Sequence, residues 1–550
     1  MVDINYVKRK NIDLFKSLED SNLVNITKPQ NYIPIYNSFF SLNETNYNTI
    51  NLNQKWYLSN LVSKESDNKF LAKLKNNNTQ KVKEKPIFFK MAPLLDPFKY
   101  LVGKYPMEQN LFNLPSHTNM DVMDKLKTAN NSAYVDGLFA YLNNYLFHEY
   151  NFLNGLEFYG SYLCIKENFK IDVFDDLEYL NNSDFFKKQK DILYTIDNYQ
   201  HMFETYKKLK PIKIQDSYKS NISFESIEKI DYNNLFSDTS NDNKQLEEFV
   251  IQDLNNDSMT IKSNSTCSSR TSHTSSDSEE ISISSSECDS MNSIEDEEII
   301  ATIKQFPVQL IALESCSETL DSLIVKKKLT DSEWESILMQ IIMILITFQK
   351  TFHFTHNDLH TNNVMYIPTD KKYIYYQFQN IQYKIPTYGK LFKIIDYGRG
   401  IFKCNGNIFC SDSFKSGEDA ATQYNTEPYF NDKKPRLEPN FSFDLCRLGC
   451  SIFDYLVDDL DDLNDIDKFS QIERLIINWC FDDNGINLLY KTNGDDRYPD
   501  FKLYKMIARY VHNHTPQAQL ENNIFKKYIL KSNEKPKELI NIDTIPSFVH

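Results

Sequence analysis

Glycine is scarce, with 12 in 550 residues and none before Gly103, and proline numbers only 18. That excludes a collagen-like or Gly/Pro-dominated chain. Positive charge is short as well: 61 Lys and Arg stand against 76 Asp and Glu, a net charge of −15. Such a balance argues against a nucleic-acid coat or a binder of anionic membranes. Long apolar runs are missing. The most apolar stretch, Ile337 to Phe348, is interrupted by Gln340 and falls short of the ~20 residues a membrane span needs. The opening Met1-Val-Asp-Ile-Asn-Tyr6 lacks a charged-then-apolar leader pattern. Nine cysteines, an odd number without dense spacing, read as reduced thiols rather than a disulfide framework. The expectation is an intracellular, cytoplasmic protein.

The residues present are 41% hydrophobic and 14% aromatic, ample for a sizeable core. Charge is unevenly spread. Asp231 to Ile300 holds 16 acidic and 3 basic residues, leaving a net of only −2 for the rest of the chain. Within it, Ser263 to Ser293 is serine-rich and offers little apolar area against an ordering cost of roughly 1–2 kcal/mol per residue. Residues 205–298 are therefore expected to be a disordered acidic insertion. Ser276, Ser286 and Ser293 each have an acidic residue three positions on, a pattern that acidophilic kinases accept. A passive tether is the simpler reading.

Several elements are legible on either side. Lys85-Pro-Ile-Phe-Phe-Lys90 reads as a strand, Ser132 to His148 as a helix with one apolar face, and Gly155 to Leu180 as paired strands. Pro307 to Leu313 reads as a buried strand. Thr330-Asp-Ser-Glu333 is a capping box opening a long helix, Trp334 to Phe352. Tyr373 to Tyr383 reads as a hairpin, Lys390 to Asp396 as a strand and Phe443 to Val457 as a helix.

The chemistry concentrates in Phe354-Thr-His-Asn-Asp-Leu-His-Thr-Asn-Asn-Val-Met-Tyr366 and Lys393-Ile-Ile-Asp-Tyr-Gly398. A loop carboxylate, an amide five residues on and a second carboxylate beside a glycine can serve phosphoryl transfer. Asp358 can orient or deprotonate an attacking hydroxyl, and Asn363 and Asp396 offer the oxygen ligands that Mg²⁺ prefers. As turn residues these three have a bland reading too, but two such motifs in this order favour chemistry. His356-x-x-x-His360 lacks the intervening Glu and helical setting of a zinc pair. The pairs Cys446/Cys450 and Cys404/Cys410 read as buried small residues.

His356-x-Asp358-Leu-x-x-x-Asn363 followed by Asp396-Tyr-Gly398 resembles the catalytic loop and metal-binding triplet of protein kinases. In style the motifs are most similar to those of Ser/Thr kinases of the large cytoplasmic DNA viruses. The resemblance implies an α+β, bilobal fold with the insertion in the small lobe, and ATP and Mg²⁺ as cofactors. It further implies that Asp444 braces the catalytic loop and that Leu313, Glu314 and Cys316 form the hinge to adenine. Lys90 would meet the α/β phosphates, with Asp136 as its carboxylate partner and Glu149 as the rival. His356 becomes a packed core histidine.

The implied domains are an extension over 1–55, a small lobe over 56–204, the insertion, hinge and large lobe over 299–515, and a tail over 516–550. Four departures stand out: no glycine-rich loop precedes Lys90, Asn357 replaces the loop arginine, His360 replaces the loop lysine, and Glu427-Pro428 stands poorly for Ala-Pro-Glu. The expected activity is transfer of the ATP γ-phosphoryl to a Ser/Thr hydroxyl of a protein, with no nucleic-acid or membrane partner. A silent pseudokinase scaffold and a small-molecule phosphotransferase are the alternatives.

Overall fold

The computed structural model describes residues 1–106, 109–118, 121–199, 298–457, 460, 466–492, 494–531, 536 and 538–550. All of the expected insertion except Glu298, including its three candidate serines, lies outside them.

The protein is an α+β chain built on a seven-stranded antiparallel sheet. Its strands are β1 (Ile26–Gln30), β2 (Trp56–Lys64), β3 (Lys69–Asn76), β4 (Val82–Pro93), β5 (Phe158–Asp172), β6 (Tyr194–Ile196) and β7 (Ile300–Glu314). The order is β1-β5-β7-β4-β3-β2, with β6 also paired to β7. Alternation along β4 buries Ile87 and Phe89 and turns Phe88 and Lys90 to the opposite face. Register sets Lys90 against Ile311 of β7.

The reading of Gly155 to Leu180 as paired strands is corrected: β5 is one strand of 15 residues. Gly160, which looks like a turn, has φ 138° and sits at a register shift against β7. It is a bulge, which bends a strand without ending it.

Helix α1 (Ser132–Glu149) lies against the sheet, where Gly137 permits close approach. A Cβ at that position would lie 2.2 Å from Nε2 of Gln309. Helix α2 (Asp331–Phe352) starts at the reciprocal Thr330/Glu333 capping box. By length and composition α2 could cross a membrane, but 94% of its most apolar window is buried inside the protein. Helix α3 (Phe443–Leu456) follows further along the chain.

The sheet, α1 and α2 share one hydrophobic core. Phe443, Cys446, Phe453, Tyr504 and Ile507 belong to a second. The hairpin Tyr373–Phe378 and Ile381–Pro386 forms as expected, and Ile540–Asn541 adds to it in parallel.

Both chain ends are held at long range. Val2 hydrogen-bonds Asn405, Phe39 stacks on Phe409, and Lys350 donates to the carbonyls of Ile542, Asp543 and Ile545.

Candidate active site

After α2, His353 turns the chain with φ 49° and leads into a buried loop. Asp444, in the first turn of α3, accepts hydrogen bonds from the backbone N–H groups of His356 and Asn357, each at 2.9 Å. Both orphan amides are thereby satisfied by one buried carboxylate. The His356 ring lies 2.8 Å from the Ile395 carbonyl through Nε2, which must carry the proton to donate. It is a core histidine.

Asn357 adopts φ 64°, a conformation Asn tolerates better than most residues. Its amide donates to the carbonyls of Thr355 and Arg399, and its oxygen accepts from the Tyr424 hydroxyl at 2.8 Å. The residue standing where the sequence pattern expects an arginine is thus a neutral brace.

Asp358 accepts a hydrogen bond from the Tyr504 hydroxyl at 2.7 Å on Oδ1, and its Oδ2 lies 3.9 Å from Nε of Arg399. Burial pushes this carboxyl upward. The charges of Arg399, His360 and Arg447 and the Tyr504 hydrogen bond outweigh that, and it falls to about 2. Asn363 donates through Nδ2 to the Asp358 carbonyl at 2.9 Å and to the His360 ring at 3.1 Å. With its nitrogen committed to the loop, the Asn363 amide offers its oxygen as a ligand.

Lys90 lies between two carboxylates, 2.6 Å from Oδ2 of Asp136 on α1 and 2.8 Å from Oδ1 of Asp396. Asp136, not its rival Glu149 at the far end of α1, meets the lysine. Asp396 has φ 63°, and the next amide, Tyr397 N–H, donates to Asp136 at 2.8 Å. Burial opposes charge on all three groups. Asp136 and Asp396 nevertheless raise the lysine, and Lys90 holds Asp396 below its ordinary value.

The three hinge candidates lie at or just beyond the end of β7. Leu313 is buried between Phe88 and Phe158 in register. The Glu314 carboxylate turns inward, 2.7 Å from Lys393, and accepts from the Glu157 N–H, while its own N–H donates to the Glu157 carbonyl. The buried Cys316 thiol is pushed up to about 12 by burial. All seven cysteines among the described residues are buried and free, and no group of three or more His, Cys, Asp or Glu is gathered among them for a metal.

A cavity of about 120 Å³ opens between the two motifs, lined by Asp358, Asp396, Arg399, Asp96, Lys125 and Glu418 among others. Lys125 bridges Asp412 and Glu418, and Lys99 pairs with Glu418 at 2.6 Å. Sequence reasoning missed Arg399 and Tyr504. The arginine adjoins a recognised motif, but Tyr504 lies 146 residues from Asp358 with no signal to join them.

Burial lowers the His360 imidazole to about 4 despite the pull of Asp358. Its folded value lies below the ordinary 6.5, so as pH falls the unfolded chain takes up a proton first. Stability contributed by this group is expected to decline from pH 6.5 towards 4, at up to ~1.4 kcal/mol per pH unit. Unfolding free energies at pH 7, 6 and 5 should show a flatter decline in His360→Gln, and an identical slope would clear His360 as its source.

No family model matches the chain. A stretch of 84 residues, 14% of the chain, is 42% identical to a probable serine/threonine-protein kinase of Dictyostelium discoideum and covers 7% of that protein. A stretch of 118 residues, 21% of the chain, is 31% identical to serine/threonine-protein kinase haspin of Bos taurus and covers 14% of it. The chain thus has partial similarity to Ser/Thr kinases, over a small part of either relative. Neither relative is viral, so the link to kinases of DNA viruses has no support from them.

Proposed function

We propose that this chain is an ATP- and Mg²⁺-dependent phosphotransferase of bilobal, protein-kinase-like fold, acting on Ser/Thr hydroxyls of a protein. One observation carries the reading: Lys90 ion-paired to both Asp136 and Asp396, beside a cavity that Asp396 shares with an ionised Asp358. Four segments far apart in sequence supply these groups, in the chain order the kinase motifs require.

The donor set suits the cofactor. Asn363 and Asp396 offer oxygen to a hard cation that takes few protein ligands. Magnesium held there with ATP would neutralise charge on the terminal phosphates. Lys90 would bind the α/β phosphates, oriented by Asp136. Asp358 would accept or orient the acceptor hydroxyl proton, and Asp444 would keep the loop amides in line. Backbone beside the phosphates would come from the Glu65-Ser-Asp-Asn68 turn between β2 and β3, which is joined to β4 by a 2.8 Å bond from Phe89 N–H to the Asn68 carbonyl.

The test is a γ-labelled ATP assay on wild type beside Asp358→Asn, with the chain itself and dephosphorylated casein as acceptors. Transfer should fall by roughly 10²–10⁴-fold in the variant. Equal labelling by both would remove Asp358 from the mechanism. A wild type that neither labels an acceptor nor is stabilised by Mg-ATP in thermal unfolding would favour a scaffold.

A further inference from the structure

The loop position two residues beyond Asp358 is His360, whose ring is engaged with Asn363 and lies outside the cavity lining. Phosphoryl transfer gathers negative charge where the acceptor meets the γ-phosphate, and a cation there is a large contributor to rate. The cavity wall carries such a cation. Arg399 lines it together with Asp358 and Asp396, and its guanidinium lies 3.9 Å from Asp358. Asp419 fixes its Nη2 at 2.5 Å, and the rings of Phe501 and Tyr504 lie 5.8 and 5.6 Å from its carbon. Only 8% of the side chain is exposed.

Resting on the phosphotransfer reading above, we infer that Arg399 is the catalytic cation of the acceptor side, doing from outside the loop what His360 does not do within it. Tyr504 is the positioning residue for its partner. It reaches Asp358 from behind, since it does not line the cavity, and accepts a hydrogen bond from Arg447 at 2.9 Å while donating to Oδ1. That leaves Oδ2 on the Arg399 side.

In the step itself, the acceptor oxygen forms a bond to the γ-phosphorus. The bond from that phosphorus to the β–γ bridging oxygen breaks, and its electron pair leaves on ADP. The hydroxyl proton passes to Asp358. Arg399 remains protonated throughout and hydrogen-bonds the equatorial oxygens of the transferring group.

The experiment compares wild type, Arg399→Met and Arg399→Lys in the full chain, measuring label transfer from γ-labelled ATP to the chain, to casein and to water. The methionine variant should lose roughly 10²–10³-fold in kcat, with KM for ATP within about twofold of wild type. The lysine variant should recover part of that loss, and millimolar guanidinium should partly rescue Arg399→Met. Thermal unfolding with and without Mg-ATP reports that each variant is folded and binds nucleotide. A transferring wild type matched by Arg399→Met overturns this inference alone. So does an equal loss in both variants with no rescue and no nucleotide binding, which marks a structural role. A wild type that transfers to none of the three acceptors overturns this inference and the phosphotransfer reading together.

Discussion

Glu314→Ala is expected to lower the free energy of unfolding by about 3–5 kcal/mol, the usual result of removing one partner from a buried ion pair. Lys393 is 0% exposed and Glu314 5%, with 2.7 Å between them. The alanine variant leaves an ammonium with no carboxylate in the interior. One backbone group adds to the loss: the Glu157 N–H, which donates to Glu314 at 2.9 Å, is left without its partner, while Lys393 keeps its bond to the Gly155 carbonyl at 2.5 Å. The double variant Glu314→Leu/Lys393→Met removes both charges and should regain about 2 kcal/mol relative to Glu314→Ala. It should not regain everything, since the Glu157 amide and Gly155 carbonyl lose their partners, at about 1–3 kcal/mol for a buried group left unpaired. Denaturant titrations of Glu314→Leu, Lys393→Met and the double form a cycle. Simple additivity would mean that the pair is not coupled.

That pair also marks what the sequence could and could not convey. Glu314 is legible as the end of a strand, yet nothing local foretells that its carboxylate turns in to meet Lys393. Elements with their own signals were readable. The Thr330/Glu333 capping box and the apolar run behind it specify α2, and alternating aromatics specify the hairpin beginning at Tyr373. Strands β2 and β3 went unread because their apolar residues, such as Tyr57, Leu58 and Leu61 on one and Phe70, Leu71 and Leu74 on the other, do not strictly alternate and lie among lysines and asparagines. They hold because β4 and each other supply their hydrogen-bond partners. Residues 1–55 went unread although the helix Ile12–Glu19 buries Leu14 and Leu18 four apart and Ile26–Gln30 joins the main sheet. They and the last residues of the chain are held by long-range contacts such as Phe39 on Phe409 and Phe548 on Phe352. At the site the same division holds. Asp358, Asn363 and Asp396 carry a spacing that chemistry restricts, whereas Tyr504 and Arg399 acquire their place only from packing.

Lys90→Met separates stability from chemistry most sharply. The ammonium is 2.6 Å from Asp136 and 2.8 Å from Asp396, and its side chain is 12% exposed. Without it, two buried carboxylates face each other, and like charges so close cannot both stay ionised at little cost. Asp136, which burial already pushes upward, is the one expected to take up a proton. A carboxyl raised above its unfolded value stabilises the fold at low pH and loses that contribution as pH rises through the folded value. In wild type the sign is opposite for Asp396: Lys90 depresses it, so its contribution is present above the ordinary carboxylate range and lost on acidification. The stability gap between wild type and Lys90→Met is therefore expected to be widest near pH 8, at about 3–5 kcal/mol, and to narrow towards pH 5. A gap independent of pH would mean that the two carboxylates do not share the lysine. Adding Asp136→Asn to Lys90→Met removes the repulsion and should restore most of the stability at pH 8. On the phosphotransfer reading proposed above, label transfer should stay roughly 10²–10³-fold down in both variants, because neither would return a cation to the phosphates. Recovery of transfer along with stability would reduce Lys90 to a structural ion-pair partner.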